Sequence, residues 1–145
     1  MKKNWIFLDL GNVVVDVAVS RSRAAFEALT GLDAEDFDWI FFDSGLIDVF
    51  NRGHLSEEGF VRRVQGEVRY RGRTIGDTDV LRVWNAMLVP VPGTDEWLRD
   101  IEPNVDGIWV VSDINPVHWR AANAFLQTIP LHRLKGATLS YQVGV

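Results

Sequence analysis

Trp5-Ile6-Phe7-Leu8-Asp9-Leu10-Gly11-Asn12-Val13-Val14-Val15-Asp16 runs four apolar residues into one carboxylate, followed at once by a glycine turn. A strand buried in a parallel sheet reads as continuous hydrophobics. Ligands of open α/β sheets sit just beyond the carboxyl ends of the strands. The segment therefore predicts a first strand that delivers Asp9 to the mouth of a sheet. There the carboxylate is a candidate nucleophile, and the plainer alternative is that it caps the turn behind it.

Working outward, Gly107-Ile108-Trp109-Val110-Val111 returns to the buried-strand pattern and ends at Ser112, and Gly136-Ala137-Thr138-Leu139-Ser140 suggests a third strand. The stretches between them read as helices. Ala24, Ala25, Ala28 and Leu29 recur at helical spacing with Gly31 as a stop. Ala34 to Phe50 is strongly apolar without alternation, which suits short helices broken near Ser44-Gly45. Ser56-Glu57-Glu58 reads as an N-cap with acidic residues in the first turn, continued by Phe60, Val61, Val64 and Val68. Thr78 to Val89 reads as a further helix closed by Pro90 and Pro92, and Thr94 to Ile101 as another. Asn115-Pro116 opens the last, with proline where its missing N–H costs little.

Strand, several helices, strand, helix, strand is the order of right-handed parallel crossovers. The helical stretch between the first two strands is longer than one crossover needs. It is read as an inserted α-helical cap over 18–88, with 1–17 and 89–145 forming the α/β core.

Composition narrows the function classes. The 145 residues are 47% hydrophobic and 24% charged, enough apolar material for a core. A net charge of −5 argues against a nucleic-acid partner, which needs a Lys/Arg-rich face. No run approaches the roughly 20 apolar residues of a membrane helix, so no membrane partner is expected. The absence of cysteine excludes a disulfide framework and a thiolate zinc site, leaving the cytoplasm as the default compartment. His54, His118 and His132 show no metal-ligand spacing. The run Arg62, Arg63, Arg69, Arg71 and Arg73 is most simply a solvated face, although such arginines could steer an anion.

These residues resemble the haloacid dehalogenase (HAD) superfamily, in particular its phosphatase-like members whose first motif reads Asp-Leu-Gly-Asn-Val. Asp9-Leu10-Gly11-Asn12-Val13 matches that motif, Leu46 to Phe60 resembles the helical cap, and Val110-Val111-Ser112 matches the second motif. Ser140-Tyr141-Gln142-Val143-Gly144 resembles the segment leading into the third. The resemblance implies a HAD-like Rossmannoid parallel sheet, here incomplete, with an inserted helical cap. It implies a Mg2+-dependent phosphatase of small phosphorylated metabolites, in which Asp9 attacks phosphorus and forms an aspartyl phosphate. Mg2+ would be held by Asp9 and the Gly11 carbonyl, with retained waters. Asn12, Ser112 and Asp113 would bind the substrate.

Gly11 stands where many members carry a second aspartate, and Asp113 stands where this subgroup commonly has Asn. The plainer reading of Asp113 is a carboxylate that complements a helix dipole; that of Ser112 is a helix cap. The third-motif lysine and fourth-motif acidic residues would follow Gly144, so the resemblance reads the chain as truncated. Two alternatives stand beside the phosphatase. One is a non-catalytic remnant acting by association, such as a homodimer through the exposed edge of half a sheet. The other is dehalogenation through the same carboxylate.

Overall fold

The computed structural model describes residues 3–145; Met1 and Lys2, the first two residues of the predicted core segment, lie outside the described residues. Three strands, β1 (Trp5–Leu8), β4 (Gly107–Ser112) and β5 (Leu134–Leu139), form a parallel sheet in the order β1-β4-β5. Phe7 pairs with Trp109 and Leu8 with Val110, while Ser112 pairs with Leu139. The three anticipated strands are thus present, and β5 starts two residues earlier than its reading.

A second, antiparallel pair joins β2 (Val15–Val17) to β3 (Leu88–Pro90), with Asp16 opposite Val89. The sequence pattern carries a helix through this second segment to Val89. The helix stops at Asn85 instead, because the chain extends to meet β2 and Ala18 N–H donates to the Met87 carbonyl. The pair brings together the chain entering and leaving the long helical stretch.

Between β2 and β3 lie α1 (Val19–Thr30), α2 (Ala34–Asp38), a π-helical turn (Trp39–Asp43), α3 (Leu46–Asn51), α4 (Glu57–Tyr70) and α5 (Asp77–Asn85). Gly31 ends α1 at φ 72, a left-handed conformation that costs glycine little. Ser56 caps α4 by accepting from Gly59 N–H, and Phe60, Val61, Val64 and Val68 form its buried stripe. The interior of this layer is aromatic. Phe26, Phe37, Phe41, Phe50 and Phe60 are all fully buried, Trp84 nearly so, and the rings stack: Phe50 on Phe60 at 4.4 Å, Phe37 on Phe41 at 4.5 Å, Phe41 on Trp84 at 5.3 Å.

The sheet builds a separate apolar cluster. Leu8, Leu10, Ile108 and Val110 face α6 (Thr94–Ile101) and α7 (Pro116–Leu126), whose Leu98, Ala122 and Leu126 cover them. Side chains alternate across a strand, so the neighbours of these residues point the other way. There no helix of the described residues lies over them. Phe7 is 71% exposed, Val111 43% and Trp5 42%. The Trp5 ring instead lies along Gly107, and Trp109 along Gly136 with its Nε1 donating to Thr138 Oγ1. A short helical turn, α8 (Ser140–Val143), closes the described chain beside the C-terminal end of β5.

Candidate functional site

Asp9 follows the last residue of β1 and is solvent-exposed, its Oδ1 accepting from the Leu10 amide at 2.7 Å. The turn behind it is tightly wound. The amides of Val13, Val14 and Val15 converge on the Leu10 carbonyl, and Asn12 N–H donates to the Val15 carbonyl. None of these bonds uses the Gly11 carbonyl. Asn12 is the described non-glycine residue in the left-handed region, at φ 58, and its Oδ1 accepts from Val17 N–H. Its side chain therefore winds the turn toward β2. Asn tolerates this conformation better than most residues, a use the motif reading did not foresee.

Ser112 ends β4 on the neighbouring strand and is 8% exposed. Asp113 follows it, exposed and outside any helix. The helix-dipole reading placed Asp113 at the start of α7, yet that helix begins at Pro116 and its cap is Asn115, whose Oδ1 accepts from His118 N–H at 2.9 Å. The sheet thus sets Asp9 and the Ser112-Asp113 pair on adjacent strand ends, roughly 5 Å apart in the hydrogen-bonding direction. Asp16, on β2, is exposed and pairs with Val89.

The donor set suits a hard cation in kind. An exposed carboxylate and an uncommitted carbonyl two residues on are oxygen ligands, and Mg2+ commonly takes one or two carboxylates, keeps several waters and completes its shell with substrate phosphate. Among the described residues no group of three or more His, Cys, Asp or Glu is gathered as a ready-made metal cage. An apolar cleft of about 280 Å³ adjoins the motif turn, lined by Val13, Val91, Pro92, Gly93, Thr94 and Trp97. The arginine run is partly spent in ion pairs: Arg62 with Glu58, and Arg71 with Asp36 and Glu67.

Three further residues gather at the same edge of the sheet. Asn115 is 1% exposed; its Nδ2 donates to Asn51 Oδ1 at 3.1 Å, and its Oδ1 also lies 3.4 Å from Trp84 Nε1. Ser140 Oγ lies 2.8 Å from the Asn51 carbonyl and accepts from Ile114 N–H at 2.9 Å. His118 stacks on Trp84 at 4.5 Å and 9°, and its Nε2 meets the Trp84 carbonyl at 3.0 Å. With a carbonyl as partner, that nitrogen carries the proton of a neutral ring. Burial lowers the His118 pKa to about 4, outweighing the opposing effect of the Trp84 carbonyl. Asn115-Pro116 was legible as a helix start. Nothing in the spacing of Asn51, some 64 residues earlier, announced its partner.

No family model matches the sequence, and no curated protein does either. Solved structures do resemble it. A HAD family enzyme from Bacteroides thetaiotaomicron superposes with a TM-score of 0.78 at 18% identity, covering 99% of this chain and 70% of the other. A crystal structure of that enzyme in complex with magnesium and inorganic phosphate gives 0.76 at 16%, covering 99% and 72%. A HAD-like family hydrolase from Porphyromonas gingivalis gives 0.73 at 22%, covering 99% and 69%. The fold of this chain is HAD-like: α/β, with a three-stranded parallel sheet and helices. No helix of the described residues is long and apolar enough to cross a membrane.

Proposed function

We propose that this chain is a HAD-type hydrolase with Asp9 as its nucleophile, and that its chemistry is Mg2+-dependent phosphoryl transfer from small phosphorylated metabolites in the cytoplasm. The observation that carries this reading is the exposed Asp9 carboxylate at the carboxyl end of β1, next to the end of β4. The magnesium and phosphate bound by the Bacteroides enzyme support it by analogy of fold.

In this reading one Asp9 oxygen attacks phosphorus; the bond from phosphorus to the leaving oxygen breaks, and an acyl phosphate forms on Asp9. Water then attacks that phosphorus, the bond from phosphorus to the Asp9 oxygen breaks, and inorganic phosphate leaves with the carboxylate restored. The Leu10 amide, by donating to Oδ1, orients the carboxylate and leaves Oδ2 for attack. Asn12 holds the turn in shape, and the Ser112 hydroxyl takes a phosphate oxygen. Asp113 lines the same edge as the second substrate-facing residue. A cation held by Asp9 and the Gly11 carbonyl would supply the positive charge that two neighbouring carboxylates and a phosphate require. The leaving oxygen draws its proton from solvent, since Gly11 stands where a second aspartate would donate one. The helical segment 18–88 acts as the cap over this edge.

The test is hydrolysis of p-nitrophenyl phosphate in Mg2+ by the wild-type chain and by Asp9→Asn. Activity that the substitution reduces to background, and that EDTA abolishes, is expected. Equal rates in the two proteins would remove the reading.

A second reading rests on the open face of the sheet. Among the described residues β1 has a neighbour on one side only, and Trp5, Phe7 and Val111 are exposed beside it. We propose that this edge and face associate with further polypeptide, in the simplest case as a homodimer. Sedimentation of the wild type against Phe7→Ser decides it, and a monomer in both would count against it.

A further inference from the structure

Besides an exposed Arg120–Glu57 ion pair, the helical layer is joined to the sheet layer at two junctions. The first junction is covalent, through β2 and β3. The second is non-covalent, built from side chains that reach side-chain and backbone partners, and lies at the opposite end of the rim. There Asn51, the last residue of α3, is gripped from two directions: Ser140 Oγ at its carbonyl and Asn115 Nδ2 at its side chain. Both gripping residues are buried, and Asn115 is fixed by the His118 amide and Trp84 Nε1. Trp84 belongs to the helical layer, and His118 to the sheet layer; their stacked rings run the aromatic interior of one layer directly onto the other. Two residues after Asn51 the fit is closer still. Gly53, at φ 72, lies so near the Tyr141 carbonyl that any Cβ would collide with backbone.

Ser140 sits at the end of β5, two strands from Asp9 at the end of β1, about 10 Å at ordinary strand spacing, and Asn115 follows the end of the intervening β4. One end of the rim is therefore roofed by the turn 51–54, and the end that carries Asp9 is exposed. We propose that Asn51, Asn115 and Ser140 are positioning residues that latch the cap onto the β5 end of the rim, so that the substrate reaches Asp9 from the β1 side while the roof stays in place. The role in substrate positioning rests on the hydrolase reading; the latch itself does not.

Hydrogen exchange on the full chain separates the two. Gly53 and His54 amides donate to the Phe50 and Val49 carbonyls, so their exchange reports on the roof. Ser140→Ala, which removes the hydroxyl shared by Asn51 and Ile114, is expected to speed exchange over 49–56 by about tenfold while the α5 amides keep wild-type rates. Ser140→Thr, which retains a hydroxyl, is expected to restore protection. Asn51→Asp keeps an acceptor for Asn115 and is expected to hold it too, whereas Asn51→Ala loses it. Unchanged exchange over 49–56 in Ser140→Ala, or a rise spread evenly over the chain, overturns the latch. In parallel, p-nitrophenyl phosphate kinetics are expected to show KM raised several-fold and kcat nearly constant in Ser140→Ala, recovered in Ser140→Thr. A kcat loss with KM unchanged would overturn the positioning role. An inactive wild type would discard the hydrolase reading and the substrate-positioning role together, and the exchange data would still decide the latch.

Discussion

The interior of the helical layer and the sheet beneath it solve the same burial problem to different degrees. In the first, six aromatic rings from six successive elements turn inward, and each is at most 2% exposed. In the second, one face is as dry as that interior, with Leu8 and Val110 sealed under α6 and α7, and the other leaves Phe7 and Val111 in water. Burial stabilises by roughly 25 cal/mol per Å² of apolar surface withdrawn from water, so the open face forgoes most of what its side chains could contribute. Stability is concentrated in the closed helical layer and in the half of the sheet that faces the helices. The candidate site lies between them, at the strand ends.

Substitutions on the two sides test this contrast. The largest effect is expected at Trp84, which packs against Phe41 on one side and His118 on the other: Trp84→Ala should cost about 3–5 kcal/mol in urea denaturation. Acid comes next. His118 binds a proton more weakly folded than unfolded, so its contribution is complete above the ordinary value of 6.5 and is lost as pH falls toward about 4. That loss amounts to about 3 kcal/mol, and a His118→Gln chain should show a correspondingly flatter stability profile between those pH values. Gly53→Ala should cost about 1–3 kcal/mol, because both the left-handed backbone and the Tyr141 carbonyl resist a side chain. On the open face, Phe7→Ser should fall within about 0.5 kcal/mol of wild type. That value is for the monomer; a cost at Phe7 as large as that at Trp84 would break the contrast and favour the association proposed for this face.

The elements built on local signals were readable in advance. An apolar run ending in Asp9, the Ser56 cap and the Asn115-Pro116 start each carry their own structural cause within a few residues, and each is where its pattern placed it. The pairing of β2 with β3 was not, because three-residue strands leave no period to detect and their partnership spans about seventy residues. The same holds within the site. Asp9 could be singled out from its own neighbours, whereas Asn51 and Ser140 are ordinary helix-end residues until the fold brings them together. Asn12 was read for its chemistry, and the fold adds a conformational duty, the left-handed turn, that its motif context conceals.

The seating of Trp84 gives the molecule an optical handle. Of the six indoles in the chain, this is the one almost wholly shielded, and it is held nearly parallel to two other rings. A ring so confined should give a sharp near-ultraviolet dichroic band and a blue-shifted emission component, set apart from the solvent-facing indoles. Because one of its two neighbours belongs to the opposite layer, that band should fade when the layers part, before either one melts.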